Sequence, residues 1–492
     1  MAFGPFSYKV FSSSEANLSS LVISPKQQWI IAIILIGVLG GGTIIFGSII
    51  PIIALIAIAI MSVVVINPFL SLLGVLVVNV FLAVRSPVAA VTGAPSAIEL
   101  IIGVLLSLII GYWLIQLRIL QWKSLSTSVG QLLIVFFVAW SIMATIIGLS
   151  QNPTSFQYSL RELLNVMPLL FLPILYERYI PAYSSKEKLL WKIIVLCGIA
   201  IIVASILQIR SHLIQAVYLY EAGHSTADVV FCSFWVLFVV SIMTTTQKLR
   251  TLLISYGALA FGFIGILISM KRSLYISTVI CTFIVVLLGS KEERRRGVFR
   301  LGMAIVAIVL IFMPVYFSSR LTRLMLAAYV HRFLTSQHIT SDLSLLNRYV
   351  EYGYAWKAVL HSPVFGYGFG GRFRTFEIID RVHKWVGFTH NSYLYIAVKA
   401  GIIASVLFIA AYFSFIIKGF KLLRSKGTSV MDKMILRACL ASLILFLFFA
   451  STEPAFDSKT ELGWIALMWG YFLALEQQKK TNKTSEFSLS GS

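Results

Sequence analysis

Charge is the first thing this chain has little of. Asp, Glu, Lys and Arg together make up 12% of its 492 residues, and acidic side chains are the scarcest, 19 against 40 basic ones. Soluble domains carry about 25% charged residues. With 59% hydrophobic residues and a mean hydropathy of +0.91, the surface could not be solvated in water. A soluble globular protein is excluded, and a polytopic, all-α membrane protein is expected. Cysteine is equally sparse. Cys197, Cys232, Cys281 and Cys439 each lie within an apolar run and none has metal-site spacing, so they read as small packing residues. A histidine pair at i, i+4 is lacking and no acidic cluster is visible, so a resident metal or other cofactor is not expected. No cleavable signal peptide is evident: the first ~27 residues are polar and Ser-rich, and the first apolar run is long enough to span a bilayer.

What is abundant is apolar sequence in blocks. A span needs about 20 mostly apolar residues, and scanning on that basis gives about fourteen segments. They centre near Leu35, Ala57, Val77, Leu106, Phe137, Leu170, Val203, Val236, Ala260, Val279, Ile308, Val406, Leu443 and Leu467. The formal net charge of +21 does not point to nucleic acid. Much of it falls in short loops, among them "QLRILQWKS", "TQKLR", "GSKEERRRGVFR" and "KGFKLLRSKG", and in the "QQKKTNK" tail. With an even count of spans these fall on one side, which the positive-inside bias makes cytoplasmic, together with both termini. The expected organisation is a cytoplasmic segment at 1–27, eleven spans within 28–316, a large extracytoplasmic loop at 317–390, three spans within 391–476 and a cytoplasmic tail at 477–492.

That loop carries Arg320, Arg323, Arg332, Arg348, Arg372, Arg374, Arg381, Lys357 and Lys384, against Asp342, Glu351, Glu377 and Asp380, and five of the seven histidines. A basic outer loop runs against the orientation bias, so its charge has another use. Within it "SDLSLLNRYVEYGYAWKAVL" reads as an amphipathic surface helix, capped by Ser341 or Asp342, with Leu345, Tyr349, Tyr352 and Trp356 on one face. "HSPVFGYGFGGRF" supplies a proline stop and a glycine-rich turn. The glycines could cradle a phosphate, but no lysine–serine ending follows them, so a turn is the preferred reading.

Several cations gather at the outer edges of spans. Lys271 and Arg272 interrupt apolar sequence in "ISMKRSLYIS", and Arg210 and Arg161 sit at comparable edges. Each could snorkel at a helix end, or could aim at an anionic headgroup or diphosphate. Arg348, on the surface helix, offers a planar fork matched to phosphate oxygens, or it pairs with Glu351 or Asp342 as a solvated charge. His390 and Asn391, in "HKWVGFTHNSYLYIAVKAGII", either cap the span that follows or bring a proton acceptor to the membrane surface.

In order and spacing these stretches resemble the O-antigen ligase and O-antigen polymerase superfamily. "MKRSLYIS" is similar to its arginine ahead of a span, "NRYVEYGYAWKAVLHSPVFGYGFG" to its R-x7-W…P-x-x-G-x-G stretch, and "THNSYLYIAVKAGI" to its H-N-x-x-L…G ending. The resemblance implies a metal-independent, inverting membrane glycosyltransferase of the cytoplasmic (inner) membrane. Its donor would be a glycan on undecaprenyl diphosphate, and the site would lie on the outer face. It also implies that Arg272 and Arg348 bind phosphate and that His390 is essential. Many relatives have a small residue after the first arginine and a hydroxyl two positions before it. This chain has Met270-Lys271-Arg272-Ser273, so Lys271 could share or replace the role of Arg272. Arg210 is a further candidate for the diphosphate, and Tyr352, Trp356 and Asn391, with Tyr354 and Trp385, are candidates for contacts to sugar or acceptor.

Two arginines in a dry site can stabilise the charge that builds on a leaving diphosphate, which divalent ions commonly do elsewhere. His390 would serve as general base toward an acceptor hydroxyl, or would hold the diphosphate. Polymerisation is weakly preferred, because nothing marks a lipid or protein acceptor; ligation to such an acceptor is the alternative. A transporter or lipid flippase is the reading of another class, and its mark would be ionisable residues deep in several broken spans.

Overall fold

The computed structural model describes residues 128–151, 156–180, scattered positions from 185 to 203, 229–268, 271–318, Arg323, Ala327, 343–378, 381–457 and 459–490. The chain divides into two compact units, Met1–Ser71 and Leu72–Ser492, and every described residue lies in the second. Arg210, the expected cap at Ser341 or Asp342, the expected N-terminal segment and the first four expected spans lie outside the described residues.

Beside scattered helical positions between 185 and 203 and at Arg323 and Ala327, ten helices and one hairpin are described along their length. In order they are α1 (Val129–Gln151), α2 (Phe156–Tyr179), α3 (Val229–Thr245), α4 (Leu249–Ile268), α5 (Arg272–Leu287), α6 (Lys291–Ser318), α7 (Leu343–His361), β1 (Phe373–Glu377), β2 (Val382–Val386), α8 (Ser392–Arg424), α9 (Val430–Ala450) and α10 (Lys459–Ser490). The chain is thus mostly helical, as expected, but not wholly so: "FRTFE" and "VHKWV" pair as an antiparallel ribbon inside the loop region. Its inward residues Phe373 and Thr375 are buried and Arg374 between them is exposed, the period-2 pattern of a half-buried strand. Among the described residues, four helices are long and apolar enough to cross a membrane: residues 129–151, 249–267, 392–424 and 430–450.

α3 sits at the centre, packed by α4, α5, α6 and α9. Each residue from Phe231 to Val240 is buried, which suits a helix that is apolar all round. α2 lies along α10 and α1 along α8. Lipid tails are as apolar as Leu, so close packing rather than removal from water holds such helices together. The aromatic seam between α8 and α10 is an example: Phe415 stacks on Trp469 at 4.4 Å between centroids. Phe456, from the α9–α10 turn, meets Phe408 at 4.8 Å. Cys232, Cys281 and Cys439 are buried, as packing residues should be.

Opposite ends of the bundle differ in character. One end carries the basic stretches around α6 and the α8–α9 turn. There Arg437 donates to Glu293 Oε2 at 2.7 Å, and Arg300 donates to the carbonyls of Met243 and Thr246. The other end gathers the start of α2, α5, α8 and α10, the end of α1 and α9, and the whole of α7 and the hairpin.

α7 forms where the amphipathic helix is expected, and two of its aromatics are exposed as suits a surface helix. Tyr349 and Trp356 point outward, 76% and 51% exposed. The packed face is made by Ala355, Ala358 and Val359, which form a small core with Phe373 of β1 and Ala397 and Val398 of α8. Small residues let the helix backbone approach α8 closely, and the large aromatics are left outside.

Candidate active site

The glycine-rich run after α7 is a buried turn. Gly366, Gly368 and Gly370 all have positive φ. A Cβ at Gly366 would stand 2.4 Å from the Val398 carbonyl oxygen. The backbone N–H groups of this run are already donated: Tyr367 to Val398 O, Gly366 to Ser362 O and Gly371 to Gly368 O. Phe369 N–H reaches Thr145 Oγ1 and Gly370 N–H reaches Glu162 Oε2. This turn has those donors spent on the protein, which explains why it is a support and not a phosphate cradle.

The turn is pinned from below by a pair that sequence reasoning missed. Lys399 is fully buried in α8, and its Nζ lies 2.7 Å from Glu162 Oε2 of α2. It also donates to the Gly371 carbonyl at 2.7 Å. Two residues on, Gly401 adopts φ 81°, ψ 175° and breaks α8. At this break Ile402 N–H donates to the Pro363 carbonyl, and Trp140 Nε1 donates to the Ala400 carbonyl at 3.0 Å. Only glycine fits, since a Cβ there would lie 2.0 Å from the Val364 oxygen.

On this support stands the N-terminus of α8. Asn391 is its N-cap, with its side-chain oxygen accepting from the N–H groups of Tyr393 and Leu394 at 3.0 and 3.1 Å. His390 does not share the capping. Its backbone N–H donates to Glu351 Oε1 at 2.7 Å, and its Nδ1 lies 2.8 Å from Glu351 Oε2. Ser392, buried, donates to the Glu453 carbonyl at 2.7 Å. It also accepts from Phe456 N–H, which ties the α9–α10 turn to the same place.

Arg348, one turn before Glu351 on α7, does not pair with that residue. It donates through Nη1 to the Thr452 carbonyl at 2.7 Å and through Nη2 to Glu453 Oε1 at 3.0 Å. The other oxygen of Glu453 lies 3.8 Å from Lys271 Nζ, at the head of α5. The Lys271 ammonium also stands over the Phe449 ring. Two cations from distant segments thus converge on one carboxylate. Arg272, the first residue of α5, is half-buried beside them. Tyr352 reaches the Ser451 carbonyl at 3.4 Å. Burial pushes its phenol up to about 12, with Arg348 opposing and Glu351 and Glu453 adding.

Asp457, in the same turn, is pushed up to about 8, first by burial and then by the charges of Glu461 and Glu162, with Lys399 and Lys271 pulling the other way. The acidic residues of this site come from three separate segments: Glu162 from α2, Glu351 from α7, and Glu453, Asp457 and Glu461 from the α9–α10 turn and the start of α10. Trp356 and Trp385 lie on outer surfaces, and Tyr354 meets the His383 ring edge-on at 6.1 Å.

Lys271, Arg348, His390 and Gly401 all fall within a stretch, residues 257–409, that matches the family model described as O-antigen ligase. Over those residues the chain is similar to the O-antigen ligase family, which supports the O-antigen ligase and polymerase superfamily. Members of that superfamily are multi-pass membrane glycosyltransferases acting on lipid-linked glycans, and the apolar helices of this chain agree with that setting. No curated protein matches the chain. Glu351 lies inside the matched stretch, whereas Glu162, Glu453 and Asp457 lie outside it, so α2 and the α9–α10 turn add carboxylates to the matched region.

Proposed function

We propose that the protein transfers a glycan from undecaprenyl diphosphate to an acceptor hydroxyl at the outer face of the cytoplasmic membrane, with inversion and without a metal, and that it does so as a polysaccharide polymerase. The observation that carries this reading is the convergence of Lys271 and Arg348 on Glu453 beside the held His390. One anion bridging two cations is the arrangement a diphosphate oxygen requires. In this reading the donor's phosphates exchange with the Glu453 carboxylate, and Arg272 adds a third cation. Fixed positive charge then meets the electrons that leave with the diphosphate. His390 takes the proton of the acceptor hydroxyl. The apolar helices, about fourteen in all, house the polyprenyl tail, and Tyr352, Trp356 and Asn391 contact the sugars or the acceptor. The outer placement is supported by the basic stretches at the opposite end of the bundle.

The test uses purified protein and a lipid-linked oligosaccharide donor with EDTA present, reading released undecaprenyl diphosphate and product length. A product ladder that survives EDTA is expected. Lys271→Ala and Arg348→Ala should each lower turnover by about 10²–10³, the cost of one such donor, and Arg272→Ala and His390→Ala should also impair it. A single transfer to an added acceptor would favour the ligase, and full activity in all four variants would overturn the site.

A further inference from the structure

We infer that Glu351 is a positioning residue that holds the proton of His390 on Nδ1 and so leaves Nε2 free to accept the proton of the attacking hydroxyl. This rests on His390 being the base.

The grip is double. Glu351 Oε1 accepts the His390 backbone N–H at 2.7 Å, and Oε2 faces Nδ1 at 2.8 Å. A carboxylate offers only acceptors, so the ring nitrogen opposite it carries the proton and the lone pair is on the other nitrogen. Fixing both the backbone and the ring leaves the imidazole no flip that keeps both bonds. The order of burial is the one a base needs: the Glu351 side chain is 9% exposed and that of His390 28%. The buried partner is therefore the orienting group, and the partner open to a substrate is the imidazole.

Arg348 is the obvious competitor for Glu351, because i and i+3 share one face of a helix. It is turned away, its Nη1 on the Thr452 carbonyl and its Nη2 on Glu453. The two carboxylates thus divide the work. Glu453 meets the cations, and Glu351 is kept for the histidine. During transfer the acceptor oxygen bonds to the anomeric carbon as its proton passes to Nε2. The bond from that carbon to the diphosphate breaks, and its electron pair leaves with the diphosphate. Glu351 then faces an imidazolium, whose charge it stabilises, until water or the released diphosphate takes the proton from Nε2.

The experiment labels the protein with ¹⁵N-histidine and reads the ring tautomer of His390 by solid-state NMR, assigning it from the signals missing in His390→Gln. Wild type should carry the proton on Nδ1. Glu351→Gln can turn its NH₂ toward Nδ1 and should move the proton to Nε2. In the same variant kcat should fall by about 10²–10⁴, with the donor KM within about twofold, as expected of a base held in the wrong tautomer. Glu351→Asp, which keeps the acceptor, should recover most of the loss. A wild-type His390 protonated on Nε2 overturns the inference without any variant, as does a Glu351→Gln defect that lies in KM alone. If wild type transfers glycan but the tautomer does not respond to Glu351, the inference fails and glycosyl transfer stands. If the tautomer responds as stated but no donor is turned over, the positioning stands and the proposed reaction fails.

Discussion

Asp457 stands in the turn between α9 and α10, where burial and two neighbouring carboxylates hold its proton on up to about pH 8. An aspartate in an unfolded chain loses that proton near pH 4. Between these values the folded protein binds more protons than the unfolded one, so stability falls as pH rises from about 4 to about 8 and then levels off. Asp457→Asn is neutral throughout and should flatten this slope, read as the melting temperature of detergent-purified protein at pH 5, 7 and 9. Parallel curves for variant and wild type would contradict the assignment. At this scale the sequence was legible for the cations and the histidine, because a charge beside apolar sequence stands out along the chain. It offered Glu351 only as a partner for Arg348 and was silent on Glu453 and Lys399, since each finds its actual partner more than 30 residues away. Lys399 did leave a signal, a lone ammonium within "YIAVKAGII", of the kind that marks a functional or structural pair inside a membrane helix.

The elements that hold the site depend on one broken helix. α8 has to begin beneath His390, receive the glycine-rich turn at its break and still cross the bilayer. After Gly401 about 23 residues remain, enough to span about 30 Å at 1.5 Å per residue. Gly401→Ala would bring a Cβ into the Val364 carbonyl and force a left-handed backbone on a residue that disfavours it by about 1–2 kcal/mol before any clash. Gly257→Ala in α4 meets open space. The first should lower the melting temperature sharply and the second should leave it unchanged or slightly higher. Lys399 and Glu162 join α8 to α2 in the same region, and breaking a buried pair from one side costs about 3–5 kcal/mol. Lys399→Met alone should therefore destabilise strongly, and Lys399→Met with Glu162→Gln should recover much of the loss. Helices α1 to α6 and α8 to α10 lie where hydropathy places spans and α7 where amphipathic spacing places a surface helix, although α10 runs on into the expected tail. The hairpin was not foreseen, because two five-residue strands amid Arg, His and Lys carry too few apolar alternations to be told from loop. The face of α7 that α8 accepts was not legible either: the aromatics at helical spacing mark a surface helix, while Ala355 and Ala358, which make the packed face, carry no comparable signal.

Taken whole, the molecule separates two kinds of positive charge. The cations at the start of α6 and in the α8–α9 turn come from "GSKEERRRGVFR" and "KGFKLLRSKG", stretches rich in basic residues. Those at the other end, Lys271 and Arg348, are each tied to Glu453 and to a turn that four helices help to build. Positive-inside bias orients a chain by the first kind and ignores the second when it belongs to a folded loop. On that argument we propose that the site lies opposite the cytoplasm, which can be tested directly. Trp385 in β2 is 66% exposed, and Lys426, in the α8–α9 turn, is also exposed. The cysteines Cys232, Cys281 and Cys439 are buried and should stay silent to a membrane-impermeant maleimide. In right-side-out vesicles Trp385→Cys should label fully, and Lys426→Cys should label only after the membrane is opened by detergent. The reverse pattern would turn the cation pair and His390 toward the cytoplasm. A polyprenyl-diphosphate donor presented at the outer face could not then reach them, and transfer at that face would have to be abandoned even if the purified enzyme were active.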